Sequence, residues 1–404
     1  MTKLSIRDLD LTDKRVLIRV DFNVPLAAEG TEITDDTRIR ETLPTIEYAL
    51  RRKAKVILCS HLGRPKGKPN ATMSLRPVVT RLRDLLDHIL GEDENVAFSP
   101  DCVGELAEEM SRSLESGQTL LLENLRFHAE EEANDPAFAK KLAALCDIYV
   151  NDAFGSAHRA HASTEGITHF VAQSAAGLLM EKELTYMGKA LLQPDKPFVA
   201  ILGGAKVSDK IKVIDNLLDK VDAIIIGGGM AYTFLKAKGQ DVGKSLVEAD
   251  KLDVARAALK KAEAKGVRFL LPVDHKLADK FAADAKTQIF SGEGAFPAEW
   301  MALDIGPKSI ELFEAEIAEA RTIVWNGPMG VFEMPAFAHG TMQIAQAIAD
   351  NQDAVSIVGG GDSVAAVKQS GVASRITHIS TGGGASLEFL EGKKLPGVEA
   401  LTNK

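Results

Sequence analysis

Side chains that could bind an anion follow several short apolar runs in the first half of the sequence. They are mainly arginines and histidines, joined by one acid and one amide: Asp21, Asn23, His61, Arg64, Arg126, His158, Arg159 and His161. Arginine offers a planar fork that matches phosphate and carboxylate groups. A single arginine is more often solvated or in an ion pair than bound to a ligand, but several behind successive apolar runs favour an anion site.

The second half places glycines and lysines at the corresponding positions. They are Gly203, Gly204, Lys206, Lys210, Asn326, Pro328, Asp362 and three glycine triplets at 227 to 229, 359 to 361 and 382 to 384. Backbone without side chains can approach an anion closely, and a helix that follows directs its N–H groups at phosphate. Glycine also permits tight turns without any ligand. One triplet would therefore be weak support, but three favour a nucleotide site.

Two standard nucleotide fingerprints are incomplete. No triplet continues as G-x-G-x-x-G, since the first leads to Tyr232 and the second to Val364. Residues 239 to 245 resemble a P-loop but have one residue too few between the glycines, and they follow a helical pattern. The sequence thus predicts a structural loop there and disfavours a dinucleotide fold.

Asp362 is the candidate for a magnesium contact. It directly follows a glycine triplet, and Mg²⁺ is usually held by one or two carboxylates together with nucleotide phosphates. The alternative is a helix N-cap, and both roles can hold at once. No His, Cys and Glu cluster has the spacing of a transition-metal site, and Cys59, Cys102 and Cys146 lack a CxxC pair. These cysteines are predicted to be small buried side chains in a reducing compartment.

The elements that must position these residues form an alternating pattern. Short apolar runs end in polar residues or glycine and are separated by helical patterns, as where Ile39, Leu43, Ile46 and Leu50 share one stripe. This alternation is typical of an α/β fold with parallel sheets, in which ligands bind beyond the carboxyl ends of the strands. The predicted strands lie at 16–20, 55–60, 119–124, 147–152, 198–204, 222–229, 267–274, 322–328, 355–361 and 376–384.

Length and charge limit the class of protein. The 404 residues favour two domains, and we expect their junction near the Pro-flanked helical segment that ends before Pro197. A net charge of −9 argues against a sequence-independent nucleic-acid binder. The first residues do not resemble a targeting segment, and no apolar run approaches membrane-spanning length, so we expect no membrane partner and a cytoplasmic location.

Ten segments, in order along the chain, resemble the signature segments of phosphoglycerate kinases. They are RVDFNVPL (19–26), DDTRIRETLPTI (35–46), SHLGRPKG (60–67), LLENLRFH (121–128), NDAFGSAHRAHAS (151–163), LGGAKVSDKI (202–211), IIGGGMAYTFL (225–235), WNGPMGVFE (325–333), GGGDSVAAV (359–367) and STGGGASLEFLEGKKLPGVEAL (380–401). The resemblance therefore extends over nearly the whole chain.

This resemblance implies two Rossmann-like three-layer αβα domains with parallel sheets, joined by a hinge. The phosphoglycerate-binding domain would comprise 1–173 and the tail 390–404, and the nucleotide-binding domain 174–389. The family also implies a monomer that uses Mg²⁺ with ATP or ADP. The residues implied for 3-phosphoglycerate or 1,3-bisphosphoglycerate are Asp21, Asn23, Arg38, His61, Arg64, Arg126 and Arg159. Those expected for the nucleotide are Gly204, Lys206, Lys210, Gly228, Asn326, Pro328, Glu333, Gly360, Gly361, Asp362 and Ser363, with Asp362 as the metal contact.

A carboxylate acceptor sets the expected mechanism. Carboxylates titrate near ~4, so no general base is needed to activate one at neutral pH. Catalysis would then rest on alignment and on neutralising charge on the transferring group. The hypothesis is that Arg38 and Lys206, one from each domain, meet around that group with backbone donors near Gly360 and Gly383, and that closure of the domains excludes water.

Two rival functions remain at this stage. A nicotinamide-dependent dehydrogenase would need a complete glycine fingerprint with an acidic ribose partner, and neither is present in order. A non-catalytic binding protein on the same fold would be expected to have lost Arg38, Lys206 or Asp362, and all three are present.

Overall fold

The computed structural model describes residues 2–27, 31–91 and 96–404. The chain forms two compact units. Unit 1 comprises Met1–Thr185 together with Lys394–Lys404, and unit 2 comprises Tyr186–Lys393. The domain boundaries expected from the sequence, 173/174 and 389/390, lie N-terminal to these two divisions and stay a prediction.

Unit 1 contains a sheet of six parallel strands, most of which are buried along nearly their whole length. The strands are β1 (Arg15–Arg19), β2 (Lys55–Cys59), β3 (Val96–Ser99), β4 (Thr119–Leu122), β5 (Ile148–Asn151) and β6 (Ser174–Ala176). Their order in the sheet is β3-β4-β2-β1-β5-β6. Parallel strands covered on both faces have continuous apolar sequences, which is why four of them were predictable. The carboxyl ends of β4, β2, β1 and β5 are therefore successive neighbours at one edge.

Helices cover the sheet of unit 1. The predicted stripe of Ile39, Leu43, Ile46 and Leu50 is confirmed, since all four are buried in α1 and belong to the same apolar cluster as Val16 of β1. The helices are α1 (Thr37–Arg51), α2 (Arg76–Leu90), α3 (Glu105–Ser113), α4 (Ala129–Glu132), α5 (Pro136–Ala143) and α6 (Leu178–Leu192), the last of which continues into unit 2.

Unit 2 contains a second parallel sheet and a small antiparallel one. Its strands are β7 (Phe198–Leu202), β8 (Ala223–Ile226), β9 (Arg268–Leu270), β10 (His275–Ala278), β11 (Thr287–Phe290), β12 (Met301–Ile305), β13 (Thr322–Asn326), β14 (Val355–Gly359) and β15 (His378–Ile379). The parallel sheet has the order β15-β14-β13-β7-β8-β9, and the antiparallel sheet has the order β11-β10-β12. The antiparallel sheet was not predicted from the sequence.

Both faces of the parallel sheet of unit 2 are covered by apolar side chains. Alternate residues of β7 point to opposite faces, and they fall in two separate apolar clusters: Ala200 and Leu202 in one, Val199 and Ile201 in the other. The helices of unit 2 are α7 (Ile211–Leu217), α8 (Met230–Ala237), α9 (Leu252–Lys265), α10 (Pro307–Glu319), α11 (His339–Asp350), α12 (Gly361–Gln369) and α13 (Gly384–Leu390), while α14 (Pro396–Glu399) lies in the tail of unit 1.

The α/β class with two parallel six-stranded sheets is thus confirmed. Within the part of the chain that the structure describes, none of the helices combines the length and the apolar character needed to cross a membrane.

Candidate functional site

The substrate-binding residues predicted in unit 1 follow the four neighbouring strands identified above. Asp21 and Asn23 come after β1, His61 and Arg64 after β2, Arg126 after β4 and Arg159 after β5, while Arg38 lies in the first turn of α1. Because parallel strands end at the same sheet edge, the fold places these residues on one side of unit 1. We call these seven residues the basic site.

Arg38 and Asp21 form an ion pair in the basic site. Nη1 of Arg38 lies 2.9 Å from both carboxylate oxygens of Asp21, and Oδ1 of Asp21 also accepts a bond from the Asn23 backbone N–H at 3.2 Å. Burial raises the pKa of Asp21, but the charged and polar neighbours of the carboxylate, among them Arg38 and Arg19, outweigh burial and hold the pKa below its usual value. The Arg38 side chain keeps 40% exposure, so part of its guanidinium can reach a ligand.

His61 is held as a neutral imidazole by a buried arginine. Nη2 of Arg19 lies 3.0 Å from Nδ1 of His61, and since arginine can only donate, Nδ1 must accept. Burial, together with Arg19, Arg126 and Arg38, lowers the pKa of His61 well below its ordinary value despite the opposing charge of Asp21. The proton of the neutral ring is therefore on Nε2, where it is available to an anionic ligand.

Arg126 and His161 share the positive potential of this region. Arg126 is nearly buried, and its Nη1 donates to the Gly63 carbonyl at 2.9 Å, while its Nε has no hydrogen-bond partner. Burial, and then the charges of Arg126, Arg19 and Arg159, lower the pKa of His161 to about 4. Positive groups that depress one another's pKa values in this way mark a site suited to a multiply charged anion.

Arg64 and Arg159 are the exposed members of the basic site. Nε of Arg159 lies 3.2 Å from Nε2 of His158. Among the described residues, no hydrogen bond or ion pair holds Arg64. Both guanidinium groups therefore face solvent and are accessible to a ligand.

A buried polar network beneath the basic site was missed in the sequence. Arg19 is fully buried, donates to the Ser163 Oγ at 2.9 Å, and is the only charged residue of the otherwise apolar β1 besides its first residue. The Ser163 hydroxyl in turn donates to the buried Glu131 carboxylate at 2.5 Å. Burial raises the pKa of Glu131, and the charge of Arg19 opposes that rise. An arginine inside a buried strand was the available signal for this network.

The nucleotide residues predicted in unit 2, together with Gly383, also follow successive neighbouring strands, β15, β14, β13, β7 and β8. We call them the glycine-loop site: Gly204, Lys206, Lys210, Gly228, Asn326, Pro328, Glu333, Gly360, Gly361, Asp362, Ser363 and Gly383. The loops bond to one another directly, since the Gly204 N–H donates to the Pro328 carbonyl at 3.2 Å and the Gly228 N–H to the Met329 carbonyl at 2.9 Å.

Two glycines in these loops, Gly203 and Gly228, are required by packing between the loops. A Cβ on Gly203 would lie 2.0 Å from the Pro328 carbonyl oxygen, and one on Gly228 would lie 2.5 Å from the Gly204 carbonyl oxygen. Gly228 also has a φ of 68°, which favours glycine. The first triplet therefore has a structural reason that needs no ligand.

Gly361, in contrast, is not required by packing or by its backbone conformation. It begins α12 with an ordinary φ, and a Cβ on it would meet nothing within 4 Å. Gly360 precedes it as the N-cap with a φ of 90°, and no side chain caps the helix. Uncapped N–H groups next to open space are the features of a phosphate site at a helix N-terminus. Asp362 lies inside the helix without a side-chain cap bond, so the N-cap alternative for Asp362 is wrong.

The polar side chains of the glycine-loop site differ in how available they are to a ligand. Lys210 is hydrogen-bonded to Oδ1 of the buried Asn326. Burial lowers the pKa of Lys210, while the charges of Asp209 and Asp362 oppose this, so Asp362 lies close enough to Lys210 to affect it. Ser363 is buried and accepts the Gly327 N–H at 2.6 Å, which accounts for its position without a ligand.

Lys206 is exposed. It makes no hydrogen bond or ion pair with any residue that the structure describes. Its ammonium group is therefore available to a ligand.

A cavity of about 500 Å³ opens at the glycine-loop site. Five of the predicted residues line it: Gly204, Gly228, Pro328, Glu333 and Asp362. Its apolar wall was not predicted and includes Leu246, Phe281, Leu303, Met329 and Val331. Such a mixture of apolar wall and few polar groups suits a small organic ligand.

Residues 239 to 245 form a loop after α8, as predicted, and not a P-loop after a strand. The Lys244 N–H donates to the Trp300 carbonyl at 2.8 Å, and the Lys244 ammonium pairs with Glu299. Lys244 nevertheless lines the cavity, which the sequence did not indicate.

Comparison with known proteins agrees with this architecture. The family model described as phosphoglycerate kinase matches residues 6–393. Phosphoglycerate kinases of Acidobacterium capsulatum and Koribacter versatilis are 82% and 73% identical over the full length of both chains. The structure of the Coxiella burnetii phosphoglycerate kinase covers 98% of each chain with a TM-score of 0.89 at 44% identity. The chain therefore belongs to the phosphoglycerate kinase family.

Proposed function

We propose that this chain catalyses the reversible, Mg²⁺-dependent transfer of a phosphoryl group between ATP and the carboxylate of 3-phosphoglycerate, as a step of glycolysis. The other pair of ligands is ADP and 1,3-bisphosphoglycerate. The observation that carries the proposal is that two groups of different chemistry follow the strand ends, cationic side chains in unit 1 and uncapped backbone N–H groups beside an apolar cavity in unit 2.

The basic site is the proposed site of 3-phosphoglycerate. The ligand carries a phosphate and a carboxylate, and both groups are matched by guanidinium forks. Arg64, Arg126 and Arg159 supply these forks, and His61 adds a neutral Nε2–H donor fixed by Arg19. Asp21 is the one acid among them, and it can accept a bond from the hydroxyl group of the ligand.

The glycine-loop site is the proposed site of ATP or ADP. The apolar wall of the cavity would contact the base, and the uncapped start of α12 would receive phosphate oxygens at Gly360 and Gly361. The exposed Lys206 can reach an anion without breaking an existing bond. Glu333, which also lines the cavity, offers a carboxylate to the ribose hydroxyls.

Mg²⁺ fits the groups present at the glycine-loop site. Asp362 is exposed, lines the cavity and lies in the first turn of α12, so its carboxylate can hold the ion together with nucleotide phosphates. When bound there, the ion would neutralise part of the phosphate charge.

Transfer to a carboxylate needs alignment and charge neutralisation, and no general base. Arg38 can move from Asp21 to the transferring group, because its side chain is partly exposed. Lys206 and the backbone near Gly360 and Gly383 would stabilise the same group from the nucleotide side. Since these groups belong to different units, we propose that the units close about a hinge during the reaction.

An assay that couples consumption of ATP and 3-phosphoglycerate to oxidation of NADH tests the function. Arg38→Ala should lower kcat by about 10²–10³ while changing either KM much less. Arg40→Ala is the matched control, because Arg40 lies on the same helix but pairs with Asp36 at the surface. Absence of turnover in the unmodified chain would refute the function, and a large KM effect with unchanged kcat would assign Arg38 to ground-state binding.

We also propose that the chain acts as a cytoplasmic monomer, as the family resemblance implies. All three cysteines are unpaired and buried, which agrees with a reducing compartment. Light scattering coupled to size-exclusion chromatography should give the mass of one chain, 43.4 kDa. A mass of two or more chains at micromolar concentration would contradict the monomer.

A further inference from the structure

Three potential metal ligands meet in unit 1 outside the basic site. Asp101 and Cys102 follow β3, and His128 follows the short 3-10 turn Leu125–Phe127 after β4. One ligand atom from each residue lies within 4.8 Å of the ligand atoms of the other two. The spacing of these residues along the sequence gave no hint of such a group, because the fold brings them together.

The cluster already has ordered geometry. Nε2 of His128 lies 2.7 Å from Oδ1 of Asp101, which also accepts the Cys102 N–H at 2.7 Å. The His128 ring packs against Phe138 with the ring centroids 5.2 Å apart. Cys102 is buried, while half of the Asp101 side chain is exposed. The imidazole and the carboxylate are therefore held in place, and the thiol lies beneath them.

A cavity of about 840 Å³ gives solvent access to this cluster. Asp101 and His128 both line it, so a water molecule could complete a four-coordinate site. The other charged groups at the cavity are already engaged: the Arg76 guanidinium stacks 4.6 Å from the Phe98 ring centre, and the Glu123 carboxylate accepts the Ser74 hydroxyl at 2.6 Å.

We propose that Asp101, Cys102 and His128 form a binding site for a first-row transition-metal dication such as Zn²⁺. One carboxylate and one thiolate would balance the charge of the ion, and sulfur and imidazole ligands select zinc-like metals over Mg²⁺. Tetrahedral coordination at about 2.0–2.3 Å places ligand atoms about 3.3–3.8 Å apart. Asp101 and His128 must therefore separate slightly, and Cys102 must give up its proton.

Titration of the reduced, chelator-treated full-length chain with Co²⁺ tests the site. Co²⁺ should bind at one equivalent and produce thiolate-to-metal charge-transfer absorption, which Zn²⁺ abolishes and excess Mg²⁺ does not. Cys102→Ser and His128→Gln should each lower Zn²⁺ affinity by at least about 100-fold. Cys146→Ser should keep the affinity, because it removes another buried thiol. His169→Gln should also keep it, because His169 pairs with a carboxylate at 2.6 Å outside this cluster.

X-ray absorption of the Zn²⁺ complex of the unmodified chain provides a test that does not depend on whether the variants fold. It should detect one sulfur ligand at about 2.3 Å. A complex without sulfur, a charge-transfer band that persists in Cys102→Ser, or no saturable binding of Co²⁺ would each overturn the proposal.

Discussion

His161 has a pKa of about 4, because it is buried and faces Arg126, Arg19 and Arg159. A bound phosphate would oppose the charge of these arginines and raise that pKa. At a pH between the pKa of His161 in the free chain and its higher pKa in the complex, the complex holds more protons than the free chain. Binding should therefore strengthen as the pH falls. We expect the affinity for 3-phosphoglycerate of the unmodified chain, relative to His161→Gln, to increase several-fold from pH 7 to pH 5.

Calorimetric titrations of the unmodified chain and of His161→Gln across this pH range measure the ratio of their affinities for 3-phosphoglycerate. Taking the ratio removes the titration of the phosphate itself, whose second pKa is about 6. Parallel pH profiles for the two proteins would show that His161 takes up no proton on binding.

Gly361 offers a second test at the level of one residue. Neither its backbone conformation nor its packing requires glycine, so Gly361→Ala should fold normally and gain slightly in helix propensity. If phosphate oxygens approach this position, the added methyl group should raise KM for ATP by about tenfold or more, since a displaced contact of 1.4 kcal/mol is about a factor of ten.

Gly188→Ala is the matched control, because Gly188 in α6 also has open space around its Cβ and no positive φ. Its KM for ATP should stay at the original value. Steady-state kinetics measures the effect of each substitution on KM for ATP, and thermal unfolding measures its effect on stability. Equal KM values for Gly361→Ala and the unmodified chain would place the phosphates elsewhere.

The individual site residues were predictable to the extent that they sit at the ends of apolar strands. Asp21, His61 and Arg126 follow predicted strands and lie in one region of unit 1. Arg19 and Glu131 were not predicted, because their role depends on burial beneath the site, and the sequence does not show which polar residues a fold will bury. The closeness of Cys102 to His128 was missed because it depends on the sheet order, which places β3 beside β4.

At the level of elements, most parallel strands were predicted, while the missed strands include the short β6, the exposed β11 and the mostly buried β12. All ten predicted strands exist, but β3, β6 and the antiparallel sheet were missed. β11 is largely exposed and its sequence, TQIF, has no long apolar run. The physical reason is that a strand covered on both faces has a continuous apolar sequence, while a strand at a surface depends on its neighbours.

The missed antiparallel sheet bears on the proposed function, because Leu303 of β12 forms part of the apolar wall of the cavity at the glycine-loop site. Phe281 follows β10 and lines this cavity while 62% exposed. If it stacks on the base, Phe281→Ala should cost about 1–3 kcal/mol of binding, or about 5–150-fold in the affinity for ADP.

Ile289→Ala on β11 of the same sheet is the control. Ile289 is also a large apolar residue, 52% exposed, but it does not line the cavity. Calorimetry with ADP should find the affinity of this variant unchanged. Loss of affinity in Ile289→Ala to the same degree as in Phe281→Ala would indicate a general effect on the sheet and contradict base stacking.

At the scale of the whole molecule, the C-terminal tail is part of the first unit of the chain. The Gly397 N–H donates to the Ala157 carbonyl at 2.8 Å, the Thr402 N–H to the Ser174 carbonyl at 3.0 Å, and the Leu4 N–H to the Thr402 carbonyl at 2.8 Å. The tail thus joins both β6 and the N-terminal residues. The family resemblance implied this return of the chain to the first unit. Composition and periodicity did not, because a local sequence pattern carries no information about contacts between residues far apart in the sequence.

Deletion of residues 394–404 should therefore destabilise unit 1 selectively. The deletion removes the buried side chains of Leu395, Val398 and Leu401. At about 1.5–3 kcal/mol for each, the loss is roughly 5–9 kcal/mol, comparable with the whole stability of an ordinary domain. Both tryptophans, Trp300 and Trp325, lie in unit 2, so tryptophan fluorescence reports on that unit alone.

Calorimetry of the truncated chain should accordingly show a lost or strongly lowered transition for unit 1, while the fluorescence-detected transition of unit 2 stays near its original temperature. Lys394→Ala is the control within the tail, because the Lys394 side chain is 82% exposed and should contribute almost nothing. If truncation lowered the fluorescence transition as much as the calorimetric one, the two units would unfold as one cooperative body, and the tail would stabilise the chain as a whole.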